Sequence, residues 1–198
     1  MAVAERMRGP LEEIEALVQE RAKDLSLDMS GEGKDKLRAL IEEEVQRWSL
    51  DHRRGLRPHD LSDPDLVVDR AHRNLAGYGP LEPLLQDDDV WEVMINAPDA
   101  VFVRRHVGPS GYHDEVFHDD DHVVRTLTKI LDDASVSHRK LDPSEGLQDA
   151  QLDNGARLHI VHGDVSRGGH VMVNLRRFTG VAFTSLDQLV ARSMLSVE

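Results

Sequence analysis

The feature that most constrains this chain is a change of hydrophobic period at Gly77. Before it, apolar residues recur at helical spacing; after it, short runs alternate. A helix repeats its buried face about every 3.6 residues and a strand about every 2, so neither pattern can serve the other element. A chain that switches between them folds as a helical part followed by a sheet part.

In the helical part, Leu11, Ile14, Leu17 and Val18 form a first stripe, and Pro10 suits a first helical position. Ser30, Gly31 and Gly33 predict a break, and Leu37, Leu40, Ile41, Val45 and Trp48 form a second stripe. A third helix is predicted over 63–76, with Ser62 or Asp63 as cap, Pro64 just inside and Gly77 at its end. Leu66, Val67, Arg70, Ala71 and Asn74 continue it. Three amphipathic helices predict a small antiparallel bundle. The basic stretch 52–59 reads as a solvated linker. The G-E-G-K at 31–34 lacks the spacing of a phosphate loop and follows no strand.

In the sheet part, G-Y-G-P at 77–80 predicts a tight turn, and Leu81, Leu84 and Leu85 a short helical segment. Strands are predicted over 90–96, 101–105 and near 112–117, followed by a helix over 120–133. Val123, Val124, Leu127, Ile130 and Leu131 form the inward face of that helix, and aspartates suit its positive N-terminus. Residues 136–146 read as a polar loop with a basic knot at His138, Arg139 and Lys140. Near the end, Ser185 and Gln188 make a capping box before a last helix. The expected fold class is α+β: an N-terminal helical bundle, then a small α/β domain with a mainly antiparallel sheet and flanking helices.

Between these elements lies L-D-N-G-A-R-L-H-I-V-H-G-D-V-S-R-G-G-H-V-M-V-N-L-R-R-F, residues 152–178. Leu158 and Ile160 share one parity, Arg157 and His159 the other; Val171, Val173 and Leu175 oppose Met172, Asn174 and Arg176. Paired as an antiparallel hairpin through 163–169, the two runs bring Arg157 and Arg176 together, away from the apolar face. Like charges directly opposite are destabilising, so the pair is either simply solvated or an invitation to an anion such as phosphate.

Bulk properties narrow the classes of function. The 198 residues suffice for one large domain or two small ones, and the formal net charge of -13 argues against a general nucleic-acid binder. Without cysteine there is no disulfide, no thiolate nucleophile and no cysteine zinc site. No apolar run approaches the ~20 residues of a membrane span, and the first ten residues lack a signal-peptide core, so a soluble, intracellular protein is expected. The 11 histidines include His118 and His122 around three aspartates. The aspartates read as a helix cap, which puts His118 outside the helix, so the two rings need not converge, and His159 and His162 fall on opposite strand faces. No metal site is expected. No G-x-S-x-G elbow or other catalytic constellation is present.

The segment G-Y-G-P-L-E-P-L-L-Q-D-D-D-V-W-E-V-M-I-N-A-P-D, 77–99, resembles the N-terminal domain of the type II/IV secretion ATPases, closest to the CpaF-like tight-adherence pilus branch. The likeness continues through the strand at 100–105, resumes over 148–178 and runs into T-S-L-D-Q-L-V-A-R-S-M-L-S, covering roughly 62–197. The ordered series is more specific than any one segment. On this resemblance, residues 1–60 form a helical region whose third helix is 63–76, residues 61–183 the N-terminal α/β domain, and residues 184–198 the start of a linker toward a motor domain.

The resemblance implies a hexameric ATPase that powers pilus or secretion assembly at the cytoplasmic face of the inner membrane. A RecA-like motor domain of the same parent chain, neighbouring subunits and inner-membrane platform proteins would be its partners. ATP and Mg would bind the full-length parent, with neither held tightly by this chain alone. Arginines of the N-terminal domain approach the nucleotide in such enzymes; by motif position they fall on Arg157 and on Arg176 or Arg177, with parity favouring Arg176. Gln151 stands where the family usually has arginine, and H-G-D-V-S-R-G-G-H at 162–170 replaces a proline-containing apolar loop. No phosphate loop is present, so the chain is expected to be an excised N-terminal region and no ATPase by itself. The competing expectation is a non-enzymatic adaptor whose bundle docks a partner; a metal-dependent hydrolase using the histidines is a third.

Overall fold

The computed structural model describes residues 2–25, 31–134, 140–177, 185–191 and 194–196, with 2–8 described by backbone only. Ser30, the His138–Arg139 pair, Phe178 and the 183/184 boundary therefore lie outside the described residues.

The helical part is α1 (Ala2–Asp24), α2 (Gly31–Arg53) and α3 (Pro64–Ala76). Their stripes close one core, in which Leu11, Ile14 and Val18 meet Leu37, Ile41, Val45 and Trp48, with Val67 and Ala71 from α3. Burying each such aliphatic side chain stabilises the bundle by about 1.5–3 kcal/mol before entropy is counted. Asp63 caps α3 by accepting the Leu66 N–H at 3.0 Å. Helix α2 runs on to Arg53, into the stretch expected as a solvated linker, where Arg57 lies 4.0 Å over the Trp48 ring and pairs with Glu13. Two further boundaries differ from expectation. Helix α1 begins at Ala2 and runs through Pro10: the preceding A-V-A-E-R-M-R is rich in helix formers, which outweighs the missing N–H. Helix α2 already begins at Gly31 with Gly33 buried inside it, because the first turn needs no intrahelical donor partners.

The sheet part has a second core. Six strands, β1 (Val90–Ala97), β2 (Ala100–Arg105), β3 (Gly111–Tyr112), β4 (Leu147–Gln151), β5 (Arg157–Val161) and β6 (Met172–Arg176), lie in the order β3-β2-β1-β6-β5-β4. All five pairings are antiparallel. The fold class is thus α+β with an antiparallel sheet. On one face Val93, Ile95, Val101, Val103, Leu158, Ile160, Val173 and Leu175 pack with Leu84 of α4 (Glu82–Gln86) and with Val123, Leu127, Ile130 and Leu131 of α5 (Asp120–Asp133). The last helix, α6 (Leu186–Ala191), starts at Ser185, whose Oγ accepts the Gln188 N–H at 3.4 Å.

The structure departs from or adds to the sequence reading at three points in this part. The third strand stops at Tyr112, and Phe117 is instead a fully buried core residue whose N–H meets the Pro98 carbonyl at 2.9 Å. After a last bond from the His113 N–H to the Val101 carbonyl at 2.8 Å, the chain turns to α3, where Glu115 meets Arg73 at 2.7 Å and Arg70 at 3.8 Å. Strand β4 carries no strand signal in the sequence, since its buried positions are Gln148 and Ala150 and show no apolar alternation. The rings of His118 and His122 do come together, with centroids 4.9 Å apart. No group of metal-ligating side chains occurs among the described residues. Likewise no helix among them is long and apolar enough to cross a membrane.

The two cores meet at a polar seam. The loop 113–119 inserts Glu115 and His118 between α1 and α3. Glu115 takes both carboxylate oxygens to Arg73 at 2.7 and 2.8 Å. His118 places Nε2 2.8 Å from Glu15 and Nδ1 3.2 Å from Glu12, while Asn74 donates to Glu15 at 2.7 Å.

Candidate anion site on the open sheet face

The alternation that buries one side of the sheet leaves the other with no helix packed on it among the described residues. Register places Arg104, Glu92, Arg176, Arg157 and Gln151 in one continuous row across β2, β1, β6, β5 and β4. A neighbouring row runs Tyr112, Phe102, Met94, Asn174, His159 and Asp149. The open face is therefore apolar and aromatic toward β3 and polar toward β4.

Arg157 and Arg176 are direct register partners. Their proximity follows from strand parity and a loop that lets β5 and β6 meet. That loop is tight: at Gly163 an added Cβ would stand 2.5 Å from the Gly169 carbonyl oxygen, and Gly168 and Gly169 take φ of 93° and 77°.

The centre of the row is Glu92, whose side chain is only 2% exposed. Its Oε1 accepts Arg176 Nε at 2.8 Å and Asn174 Nδ2 at 3.1 Å, and its Oε2 accepts Arg104 at 3.3 Å. Burial pushes the carboxyl pKa up, but the hydrogen bonds from Arg176 and Asn174 and the nearby guanidinium charges outweigh it, and the net direction is downward. Glu92 is therefore a carboxylate at neutral pH. Arg104 also lies over the Trp91 ring at 5.4 Å. Among the described residues, Arg157 enters no ion pair or side-chain hydrogen bond.

Arg177 lies elsewhere. Opposite in parity to Arg176, it turns under the sheet end, where NH1 donates to the carbonyls of Leu84 at 3.3 Å, Val90 at 3.1 Å and Asp87. With its side chain 14% exposed, it clamps the end of α4 to the start of β1. Of the three arginines singled out from sequence, the structure brings Arg157 and Arg176 together and sets Arg177 apart.

Sequence reasoning missed Glu92 and Arg104. The usable signal is parity: Glu92 is the one charged residue of β1 and shares a face with Met94 and Asn96. Gln151, the residue noted as replacing arginine, ends the same row opposite Arg157. The row thus offers two adjacent guanidiniums, one of them unengaged, which is chemistry suited to a phosphate or similar oxyanion.

No protein-family model matches the chain, and no characterised protein matches it in sequence. Among solved structures, it is similar to the VirB11 ATPase from the Brucella suis type IV secretion system, solved in complex with sulphate. The identity is 23% and the TM-score 0.48; the overlap covers 60% of this chain and 36% of that one. The chain therefore spans little more than a third of that protein's length.

Proposed function

We propose that this chain is the N-terminal domain of a hexameric ATPase of the CpaF-like secretion branch, and that Arg157 and Arg176 complete an interdomain ATP site in the parent protein. The observation that carries the reading is the register pairing of Arg157 with Arg176 on an uncovered sheet face. Two like charges held side by side gain from a shared oxyanion, and triphosphate supplies one. The ordered motif series over 62–197 supports the same reading. In the parent, a RecA-like motor holds Mg-ATP and supplies the hydrolytic chemistry. The arginines of this domain bind phosphate charge, and their grip couples nucleotide state to the orientation of the domain against neighbouring subunits and the inner-membrane platform.

The test is Arg157→Ala and Arg176→Ala in the full-length parent. Each should lower kcat about 10²-fold, the loss typical of one preorganised oxyanion donor. Unchanged turnover and unchanged nucleotide affinity would refute the nucleotide role and favour a non-enzymatic adaptor.

A further inference from the structure

We infer that Glu92 is the positioning residue of this anion site: it holds Arg176 through Nε and so leaves both terminal nitrogens of that guanidinium to phosphate oxygens. The inference rests on the reading of Arg157 and Arg176 as an anion site.

Arginine carries one donor on Nε and two on each terminal nitrogen. Arg176 commits Nε to Glu92 at 2.8 Å. Its side chain is otherwise 66% exposed and has no other anchor among the described residues. Arg104 differs, giving a terminal nitrogen to Glu92 and lying over Trp91. Glu92 is fixed in turn, because Asn174 donates to the same oxygen that receives Arg176 and Arg104 engages the other. A buried, doubly engaged carboxylate thus restrains one end of a long exposed side chain. An arginine already held loses less rotamer freedom when an anion arrives.

Charge and position act in opposite directions, and two variants separate them. Glu92→Gln removes the negative charge but keeps an oxygen able to accept from Arg176 Nε; Glu92→Ala removes both. The probe is inorganic tripolyphosphate, titrated into the 198-residue chain and followed by NMR of the arginine Nε–H groups. Expected is binding weaker in Glu92→Ala than in Glu92→Gln by roughly two- to tenfold, the factor for one immobilised side chain. Equal affinities in the two variants, with wild-type binding still abolished by Arg176→Ala, would overturn the positioning role and leave the anion site standing. Absence of wild-type binding, or binding indifferent to replacing Arg157 and Arg176 together, would overturn the site and the inference with it. If Glu92→Ala does not fold, the wild-type chain still decides: Arg176 Nε–H should exchange with water more slowly than Arg157 Nε–H, and equal exchange of the two would overturn the proposal.

Discussion

Acidification should weaken the fold through one residue at the seam, His122. Its ring is 2% exposed, meets Phe117 edge-on at 5.1 Å and sits beside His118. Nδ1 accepts the His118 N–H at 3.3 Å, which places the proton of the neutral ring on Nε2. Burial first, and then the neighbouring His118 and Arg125, push its pKa from 6.5 down to about 3. Between those values the unfolded chain binds a proton at this residue and the folded chain does not. Stability therefore rises with pH in that window, is fully present above it, and is lost as pH falls. Carrying the two values through linkage gives about 2 kcal/mol lost at pH 5 relative to pH 8, steepening toward about 1.4 kcal/mol per pH unit. His122→Gln removes the titration. It should cost about 1–3 kcal/mol at pH 8 through lost ring contacts, yet lose about 2 kcal/mol less than wild type between pH 8 and pH 5. Urea unfolding at pH 8, 6.5 and 5 measures both chains. Trp48 reports from the bundle core and Trp91 from the sheet, so single-tryptophan versions separate the two parts. His113, whose pKa burial also lowers, is common to both chains and cancels in the difference. Parallel stability–pH curves for wild type and His122→Gln would refute the argument.

Arg177→Ala should lower stability by about 1–3 kcal/mol, because the carbonyls of Leu84, Asp87 and Val90 lose their shared donor, and should leave tripolyphosphate binding unchanged. Lost anion binding with an unchanged melting temperature would transfer the functional role from Arg176 to Arg177. Gly163→Ala forces a Cβ against the Gly169 carbonyl, so the arms of the β5–β6 loop must part. The expected cost is about 1–3 kcal/mol, seen as a melting temperature several degrees lower; an unchanged melt would show that the loop is not closed as described.

Particular residues show why some of this was legible in the sequence and some was not. The bundle stripes and the Arg157–Arg176 juxtaposition follow from local periodicity plus one hairpin, and both need only the nearest turn to be right. Strand β4 hides because its buried Gln148 looks like a loop residue. Only the fold reveals that its amide is satisfied by the Lys140 carbonyl at 2.7 Å and the Asp142 N–H at 3.1 Å. The seam was out of reach for a different reason. Glu15 and His118 are 103 positions apart, and their contact depends on how the whole bundle sits on the sheet. Local pattern predicts which face a side chain occupies; it does not predict what arrives from the other module.

The charge row has a consequence for where an anion would settle. Neighbouring strands lie about 4.8 Å apart, and two unit charges about 6 Å apart in water interact by about 0.7 kcal/mol. Glu92 sits between Arg104 and Arg176, so its charge is shared by those two, and Arg157 lies beyond Arg176 on the far side. The row holds three guanidiniums to one carboxylate, and Arg157, which makes no ion pair among the described residues, is the least compensated of the three. The chain carries a net charge of -13, so a local positive excess on this row stands out against an acidic whole. On the reading proposed above, phosphate would settle on the β5–β6 side, against Arg157 and the terminal nitrogens of Arg176. The aromatic end of the face, with Phe102 and Tyr112 packed edge-on at 5.3 Å, is left to apolar contact.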